Sequence, residues 1–347
     1  MSSRALRTRT TNSLTILLPG SIFDINTMAT KRIIIDTDPG IDDSLAILLA
    51  LASPEVTLEA LTVVSGNCVV EQGVINALSV LELAGARHIP VAQGMRVPLI
   101  QPLLLAPETH GETGIGYAHL PPPTLNASPK KAIDLLIESV LASPGEITIV
   151  AIGPLTNLAL AIRMEPKFVH SVREVIMMGG AIRFGGNTTP LAEFNVYCDP
   201  HAAHIVYHSG IPLTLVPLDV TYQVILTHQD VDRLLAIPSP ISRFIADATR
   251  FYMEFHDEYQ EIEGCVINDP LALALTFAPE LVDMESLYVD VDIAGGVSMG
   301  KTIADFYRMQ KKPPNMKVAL GVRARDFFEL FLERMEKLCR EFPDKQV

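Results

Sequence analysis

The sequence predicts an α/β fold with a doubly wound, mostly parallel central sheet and flanking helices, of the Rossmann-like class. From residue 31 onward, short runs rich in β-branched residues alternate with helical patterns, as they do in βαβ units. Several of these runs are almost continuously apolar, which is typical of strands covered on both faces. No linker-like stretch or internal repeat divides the chain. We therefore expect one domain over residues 31–347, with a helical insertion at residues 229–260.

The predicted strands and helices follow from the apolar runs and from the residues at the ends of these runs. The predicted strands are residues 32–36, 58–65, 88–93, 147–152, 174–178, 213–217, 288–293 and 317–322. A helix over residues 43–52 has its leucines on one face and ends before Pro54, because proline cannot continue a helix. Another helix begins after Asp199, an N-cap residue that precedes Pro200, and ends at Gly210.

The composition excludes several classes of function. The chain has 347 residues, of which 48% are hydrophobic, so it can bury a sizeable core. Its net charge of −13 opposes the electrostatic attraction that gives proteins a general affinity for nucleic acids. No apolar run approaches the length of about 18 residues that a membrane span needs. The four cysteines are widely separated, as in proteins of reducing compartments. We expect a cytoplasmic protein without nucleic-acid or membrane partners.

The N-terminal segment differs in composition from the rest of the chain. Its first 23 residues contain Arg4, Arg7 and Arg9 and no acidic residue. No periodic apolar pattern suggests that this part joins the core. We predict a disordered extension over residues 1–30. An organelle-targeting segment within residues 1–27 has a similar composition and stays open as an alternative.

Four aspartates follow the first predicted strand. Asp36, Asp38, Asp42 and Asp43 stand within eight residues, around a Pro-Gly turn that leads into a helix. Like charges so close raise one another's pKa, and a helix N-terminus offsets only about 0.3–1 kcal/mol per charge. A divalent cation would neutralise them, and an oxygen-only ligand set suits calcium better than magnesium. The alternative is an acidic turn that merely caps the helix, with Asp42 as the N-cap residue.

The same aspartates permit a second enzymatic interpretation. A D-x-D motif after the first strand also occurs in aspartyl-phosphate phosphatases, where Asp36 would be the nucleophile and Asp38 the acid. Those enzymes usually carry threonine or valine where this chain has Gly40, and we find neither their later lysine nor their second acidic motif. A metal-dependent phosphatase is therefore the less favoured alternative.

Residues 295–302 match the phosphate-binding pattern G-x-x-x-x-G-K-[ST] letter for letter. The residues that follow, Ile303 and Ala304, suit a returning strand as well as a helix. The match also lies near the end of the chain, far from the aspartates. We therefore predict a glycine-rich hairpin rather than a phosphate-binding loop.

The aspartate turn resembles the signature D-x-D-P-G-x-D-D of the inosine–uridine-preferring nucleoside hydrolases. The resemblance extends over most of residues 31–322 and includes six further segments in the same order. These segments are Val64-Ser65-Gly66-Asn67, His110-Gly111-Glu112-Thr113-Gly114, Gly153-Pro154-Leu155-Thr156-Asn157, Met178-Gly179-Gly180, Glu193-Phe194-Asn195 and Asn268-Asp269-Pro270. The resemblance implies that residues 31–347 form a catalytic domain, which cleaves the N-glycosidic bond of ribonucleosides to give free base and ribose. It also implies a homodimer or homotetramer.

The resemblance implies a calcium site and a mechanism. Its ligands would be Asp38, Asp43, the backbone carbonyl of Ile152 and Asp269. In the family the ion also holds the ribose 2′- and 3′-hydroxyls and one water, for which Asp38 would be the general base. The remaining contacts implied are Asp42 and Asn195 at the diol, Asn187 and Glu193 at the 5′-hydroxyl, and Asn67 and His110 as pocket lining. Carboxylates around the sugar suit a transition state with oxocarbenium character.

The sequence departs from the family at Asn268. Many members that act on purine nucleosides have a histidine directly before the last metal aspartate, as the acid that protonates the leaving base. Asparagine can hydrogen-bond a base but cannot donate a proton to it. The candidates for activating the leaving group are His256, Tyr252 and Tyr259, on the helix predicted over residues 251–263, and an amphipathic helix whose aromatic residues only pack in the core is the alternative. We predict that the chain prefers pyrimidine nucleosides or acts slowly on purine nucleosides. A nucleoside- or sugar-binding protein without catalysis stays open as an alternative.

Overall fold

The computed structural model describes residues 30–344, and these residues contain twelve strands and thirteen α-helices. The predicted N-terminal extension lies outside the described residues, apart from Thr30. The strands are β1 (Lys31–Thr37), β2 (Val56–Val63), β3 (Val91–Gln93), β4 (Ile147–Ala151), β5 (Glu174–Met178), β6 (Leu213–Val216), β7 (Ile225–Leu226), β8 (Cys265–Val266), β9 (Val282–Leu287), β10 (Val289–Val291), β11 (Thr302–Ala304) and β12 (Met316–Val322).

Eight strands form the central sheet in the order β3-β2-β1-β4-β5-β6-β12-β9. Seven of them are parallel, and β9 joins the edge antiparallel to β12. The chain winds outward from β1 to β3 and then returns to place β4 on the other side of β1. This reversal confirms the predicted doubly wound sheet. It leaves a crevice at the carboxyl ends of β1 and β4, where ligands of such folds bind.

Helices cover the sheet, and two short 3₁₀ turns lie at Pro279–Leu281 and Gly296–Ser298. The helices are α1 (Ile41–Ala52), α2 (Val70–Leu83), α3 (Pro107–His110), α4 (Ala132–Ala142), α5 (Thr156–Met164), α6 (Phe168–Ser171), α7 (Phe194–Cys198), α8 (Pro200–Tyr207), α9 (Leu218–Thr221), α10 (His228–Leu235), α11 (Pro240–Gln260), α12 (Asn268–Ala274) and α13 (Ala324–Glu341). The predicted helical insertion corresponds to α10 and α11. No helix between residues 30 and 344 combines the length and apolar character needed to cross a bilayer.

The core consists of two apolar layers, one on each face of the sheet. Successive residues of a strand point to opposite faces, so Ile33 and Ile35 of β1 enter one layer and Ile34 enters the other. All three are fully buried. Burial on both faces explains why the parallel strands are almost continuously apolar in sequence.

The structure corrects the predicted strand at residues 288–293. The edge strand of the sheet is β9, which ends before Tyr288, whereas β10 pairs with β11 in a separate antiparallel hairpin. Strand β9 exposes several polar side chains because its outer face and edge meet solvent. It therefore has no continuous apolar run by which the sequence could identify it.

Residues 295–302 connect β10 to β11 through a glycine-rich turn, as predicted. Strand β11, rather than a helix, begins directly after Lys301, and the ammonium group of this lysine donates to the carbonyls of Ala181 (2.8 Å) and Ile182 (3.2 Å). A phosphate-binding loop needs a helix N-terminus and a lysine directed at the phosphates. The motif match is therefore accidental.

Candidate active site

The site lies where the carboxyl ends of β1, β4 and β5 meet the start of α12. Asp38 directly follows β1, Ile152 directly follows β4, and Met178 is the last residue of β5. Asp269 is the second residue of α12. Four segments that are distant in sequence are thereby brought to the predicted crevice.

The turn after β1 is closed by the side chain of Asp43. Its carboxylate accepts hydrogen bonds from the hydroxyl of Thr37, the backbone N–H of Gly40 (2.9 Å) and the side-chain amide of Asn67 (2.8 Å). Gly40 is the N-cap of α1, and Asp42 is the second helical residue. The interpretation of Asp42 as an N-cap is therefore wrong, because the helix begins one residue before it.

Carboxylate oxygens of Asp42, Asp43 and Asp269 lie within 4.8 Å of one another, and all three residues are buried. We call them, together with the neighbouring Asp38, the aspartate cluster. Burial raises the pKa of each carboxyl, and the negative charges of neighbouring aspartates raise the pKa values of Asp38, Asp43 and Asp269 further. Among residues 30–344, no lysine or arginine forms an ion pair with any of the four.

The carboxylate of Asp38 has one bonded oxygen atom and one buried oxygen atom without a partner. Its Oδ2 accepts a hydrogen bond from the backbone N–H of Asn67 (2.7 Å). Its Oδ1 is buried and has no hydrogen-bond partner within the described chain. The tightest carboxylate group contains Asp42 rather than Asp38, whereas the predicted ligand set contained Asp38 and not Asp42.

The donor atoms of the aspartate cluster fit a divalent cation. Buried carboxylates without a basic partner need either protons or a metal ion to offset their charge. The unpartnered Oδ1 of the neighbouring Asp38 is a further buried acceptor. Because every donor is oxygen, the set suits a hard cation such as calcium or magnesium.

A second group of polar side chains follows β5. Glu193 caps α7: its carboxylate accepts from the backbone N–H groups of Gly180 (2.7 Å), Asn195 (2.8 Å) and Val196 (3.0 Å). The side-chain amide of Asn195 donates to the carbonyl of Ile152 (3.1 Å). These bonds place the predicted diol and 5′-hydroxyl contacts beside the aspartate cluster.

Asn187 lies on the outer side of the same cleft. It is exposed, and its side-chain oxygen accepts from the backbone N–H of Phe194 (3.0 Å). Its side chain therefore joins the cleft wall to the segment that carries Glu193.

Asn268 connects the aspartate cluster to the aromatic part of the cleft. Its side-chain amide donates to Asp42 Oδ2 (3.1 Å) and lies 3.4 Å from the Tyr252 hydroxyl. Tyr252 lies between two histidines, with ring centroids 5.3 Å from His110 and 4.4 Å from His256. Tyr259 is 65% exposed and lies outside this group, along the outer mouth of the cleft.

Backbone contacts assign opposite hydrogen-bonding roles to the two histidines. The backbone N–H of Ile41 donates to His110 Nδ1 (3.1 Å), so a neutral His110 carries its proton on Nε2. His256 Nδ1 lies 2.8 Å from the Tyr252 carbonyl, which can only accept, so this nitrogen carries the proton and Nε2 is bare. Burial lowers the pKa of both histidines to about 4. Near neutral pH, His110 therefore offers a donor and His256 an acceptor.

Most of these groups line one cleft, whereas Asp38, Asp43 and Tyr259 are not among its lining residues. Further lining residues that were not predicted from the sequence are Thr109, Phe194, Tyr222, Phe255 and Gln260. Two signals could have found some of them. Phe194 stands between the predicted contacts Glu193 and Asn195, and Tyr222 follows the carboxyl end of β6, at the functional edge of the sheet.

Two glycines allow the backbone to approach Asp38 closely. A Cβ atom on Gly66 would lie 2.0 Å from Asp38 Oδ2, and one on Gly153 would lie 2.6 Å from Asp38 Oδ1. Asp38 is fully buried, so its carboxylate has no room to move away. The two glycines thus fix the position of this carboxylate as effectively as its hydrogen bonds.

Comparisons with known proteins all match this chain to nucleoside hydrolases. Residues 33–329 match the family model described as inosine-uridine preferring nucleoside hydrolase. The chain is 38% identical over 304 residues to a pyrimidine-specific ribonucleoside hydrolase, RihA, from Citrobacter koseri, which covers 87% of this chain and 97% of that protein. The RihA of Escherichia coli is also 38% identical, over 88% of this chain and 98% of its own length.

Solved structures show the same architecture. The fold is similar to that of a purine-preferring ribonucleoside hydrolase from Gardnerella vaginalis, with a TM-score of 0.86 and 34% identity over 90% of this chain and 100% of that one. It is also similar to a plant nucleoside hydrolase, PpNRh1, with a TM-score of 0.83 and 36% identity over 88% of this chain and 99% of that one.

We predict that Gly66→Ala weakens metal-ion binding at least about tenfold, because the new methyl group would displace the Asp38 carboxylate. Gly321→Ala is the matched control, since its Cβ would meet only the exposed side chain of Asp283 at 3.1 Å. Calcium titration calorimetry on both variants measures the effect. Unchanged calcium affinity in a folded Gly66→Ala protein would show that the position of Asp38 does not matter for the ion.

Proposed function

We propose, on the premise that this chain belongs to the inosine–uridine-preferring nucleoside hydrolase family and hydrolyses ribonucleosides, that its aspartate cluster holds one calcium ion for this reaction. The observation that carries the proposal is the burial of four carboxylates without any basic partner among the described residues. An oxygen-only donor set of this kind satisfies calcium, which accepts an irregular shell of six to eight oxygens.

The ligands proposed are Asp38, Asp43, the carbonyl of Ile152 and Asp269. They come from the ends of β1 and β4 and the starts of α1 and α12, so an ion would join elements that are far apart in sequence. When bound, calcium would lower the pKa of a water molecule and polarise the ribose hydroxyls. Asp42, which shares the tightest carboxylate group, faces the same region and is proposed to bind the ribose diol.

Asp38 is proposed as the general base. The backbone N–H of Asn67 occupies one carboxylate oxygen, so the other is free to accept a proton. Burial and the charge of Asp43 raise the pKa of Asp38 well above its ordinary value.

The ribose is proposed to lie against Asp42 and Asn195, with Asn187 and Glu193 near its 5′-hydroxyl and Asn67 beside Asp38. As the N-glycosidic bond breaks, the sugar gains positive charge. Buried carboxylates held by backbone N–H groups are already oriented to stabilise that charge and need no reorganisation. We propose this stabilisation of positive charge on the sugar as the role of the aspartates of the cluster other than Asp38.

The base is proposed to lie among His110, Tyr252, His256 and Asn268. His110 Nε2 and the Tyr252 hydroxyl can donate hydrogen bonds to a departing base, whereas neutral His256 can only accept one. We therefore propose that His256 contributes by binding an N–H of the base, rather than by the proton transfer expected from the sequence.

We propose a preference for pyrimidine nucleosides. Hydrogen-bond donors suffice for a pyrimidine, whose carbonyl oxygens take up the developing negative charge, whereas Asn268 supplies no acid for a purine. The similar RihA proteins are named pyrimidine-specific, and the similar Gardnerella vaginalis protein is named purine-preferring. We also retain homodimer or homotetramer formation as a proposal.

The geometry disfavours the phosphatase alternative. One oxygen of Asp36 accepts from Thr62 (2.6 Å) and Asn157 (2.9 Å), and the residue is fully buried. A nucleophilic aspartate must reach the phosphorus atom of its substrate. Asp36 instead joins β1 to β2 and α5 through these two hydrogen bonds.

We predict that Asp38→Asn lowers kcat for uridine hydrolysis by at least about 10³-fold, because it removes both a calcium ligand and the base. Lys301→Ala is the control: its ammonium group bonds to two carbonyls outside the cleft, so kcat should change less than about twofold. Steady-state assays of base release measure both. A large loss of activity in the lysine variant alone would contradict this assignment.

We predict that prolonged treatment with EGTA inactivates the protein and lowers its melting temperature. The ion binds only the folded state, and its removal leaves buried carboxylates repelling one another. Calorimetric melting scans with and without calcium measure the shift, and added calcium should restore both properties. Full activity in demonstrably metal-free protein would refute the metal-dependent mechanism.

We predict that Asn268→His increases inosine hydrolysis by up to about 10²–10⁴-fold, with a smaller gain for uridine, because it supplies an acid for the purine. Calcium affinity must be measured in the same variant, since the adjacent Asp269 is a proposed ligand. A nucleoside panel on the wild type should show faster release of pyrimidines. Fast wild-type inosine hydrolysis that persists in His256→Ala, Tyr252→Phe and Tyr259→Phe would overturn our interpretation of Asn268.

A further inference from the structure

A group of metal-ligating side chains lies outside the cleft. His204 and His208, from the end of α8, meet Asp290 of β10, and we call these residues the His-Asp cluster. Helix α8 runs back toward the start of β6, so its last turn lies at the edge of the sheet opposite to the aspartate cluster. Nothing in the reaction described above uses these three residues.

The two histidines lie on one face of the helix because they are four residues apart. Their ring centroids are 4.5 Å apart. Both direct a ring nitrogen at the same oxygen: His204 Nδ1 lies 3.2 Å from Asp290 Oδ1, and His208 Nε2 lies 3.0 Å from it. One ligand atom from each of the three residues thus falls within 4.8 Å of the others.

These distances are close to those between neighbouring ligands of one metal ion. Zinc binds imidazole nitrogen and carboxylate oxygen at about 2.0–2.2 Å, so two ligands at a tetrahedral angle are about 3.3–3.5 Å apart. The observed separations of 3.0 and 3.2 Å need to open by only a few tenths of an ångström. The side chains are 27–39% exposed, so an ion can reach them and water can complete its shell.

The carboxylate of Asp290 is held in place by its own neighbours. Its Oδ2 accepts from the Tyr288 hydroxyl (3.1 Å), and its Oδ1 accepts from the backbone N–H of Val291 (2.9 Å). Lys312 donates to the Tyr288 hydroxyl (2.6 Å) and lies over the Tyr288 ring. Hydrogen bonds that orient a ligating carboxylate in this way strengthen metal sites.

We propose that the His-Asp cluster binds one divalent transition-metal ion of the zinc type, with one nitrogen from each histidine and one oxygen from Asp290 as ligands. Imidazole ligands select zinc, nickel or copper over calcium, so the two metal sites differ in ligand chemistry. The ion joins α8 to the β10–β11 hairpin. That hairpin packs against the β5 loop, where Thr302 meets Gly180.

The test is zinc titration of the full-length, untagged protein in saturating calcium, so that the aspartate cluster is occupied. The wild type should take up one equivalent of zinc and gain melting temperature. His204→Ala and His208→Ala should each weaken zinc binding at least about tenfold and lose that gain. Their rates of nucleoside hydrolysis should equal that of the wild type.

His170→Ala is the matched control, because this exposed histidine lies on another helix and has no part in the cluster. It should bind zinc as the wild type does. Asp290→Asn tests the third ligand and should also weaken binding, and circular dichroism verifies that each variant is folded. Equal zinc affinity in the wild type and His204→Ala would overturn the proposal, as would wild-type affinity in Asp290→Asn.

Discussion

The structure depends on the burial of several carboxylates at one edge of a parallel sheet, without a lysine or arginine beside them in the described chain. Such charges are costly in a medium of low polarity. The chain offsets part of this cost with directed hydrogen bonds, of which those from Thr37, Gly40 and Asn67 to Asp43 are the clearest. The remaining charge must be offset by protons or by a metal ion, so the state of these carboxylates is coupled to the stability of the fold.

Residues around the aspartate cluster hold its buried carboxylates in place. Gly66 and Gly153 let the backbone approach Asp38, and the N–H of Asn67 takes one of its oxygens, which leaves the other free. Backbone hydrogen bonds also orient Glu193, because three backbone N–H groups hold its carboxylate beside the cluster. Burial thus produces negative groups that are fixed in position before a substrate arrives, which is the condition for electrostatic stabilisation of a cationic sugar.

At the other end of the cleft, burial leaves the side chains neutral instead of charged. Burial removes the charge from its histidines, and contacts with the backbone decide which nitrogen of each ring keeps the proton. The aspartates are therefore suited to the sugar and the metal, and the neutral rings are suited to a flat base. Asn268 joins the two regions because it donates to Asp42 and lies next to Tyr252.

The sequence alone determined the doubly wound sheet, the glycine-rich hairpin and the grouping of aspartates after β1, because apolar periodicity, glycine and proline act locally. It failed at β9, an edge strand whose exposed face breaks the apolar pattern. Three properties follow from the three-dimensional arrangement: which carboxylates converge, which oxygen of Asp38 is free and which nitrogen of His256 carries a proton. These properties depend on contacts between residues far apart in the chain, such as Asn268 with Asp42, and no local pattern records them.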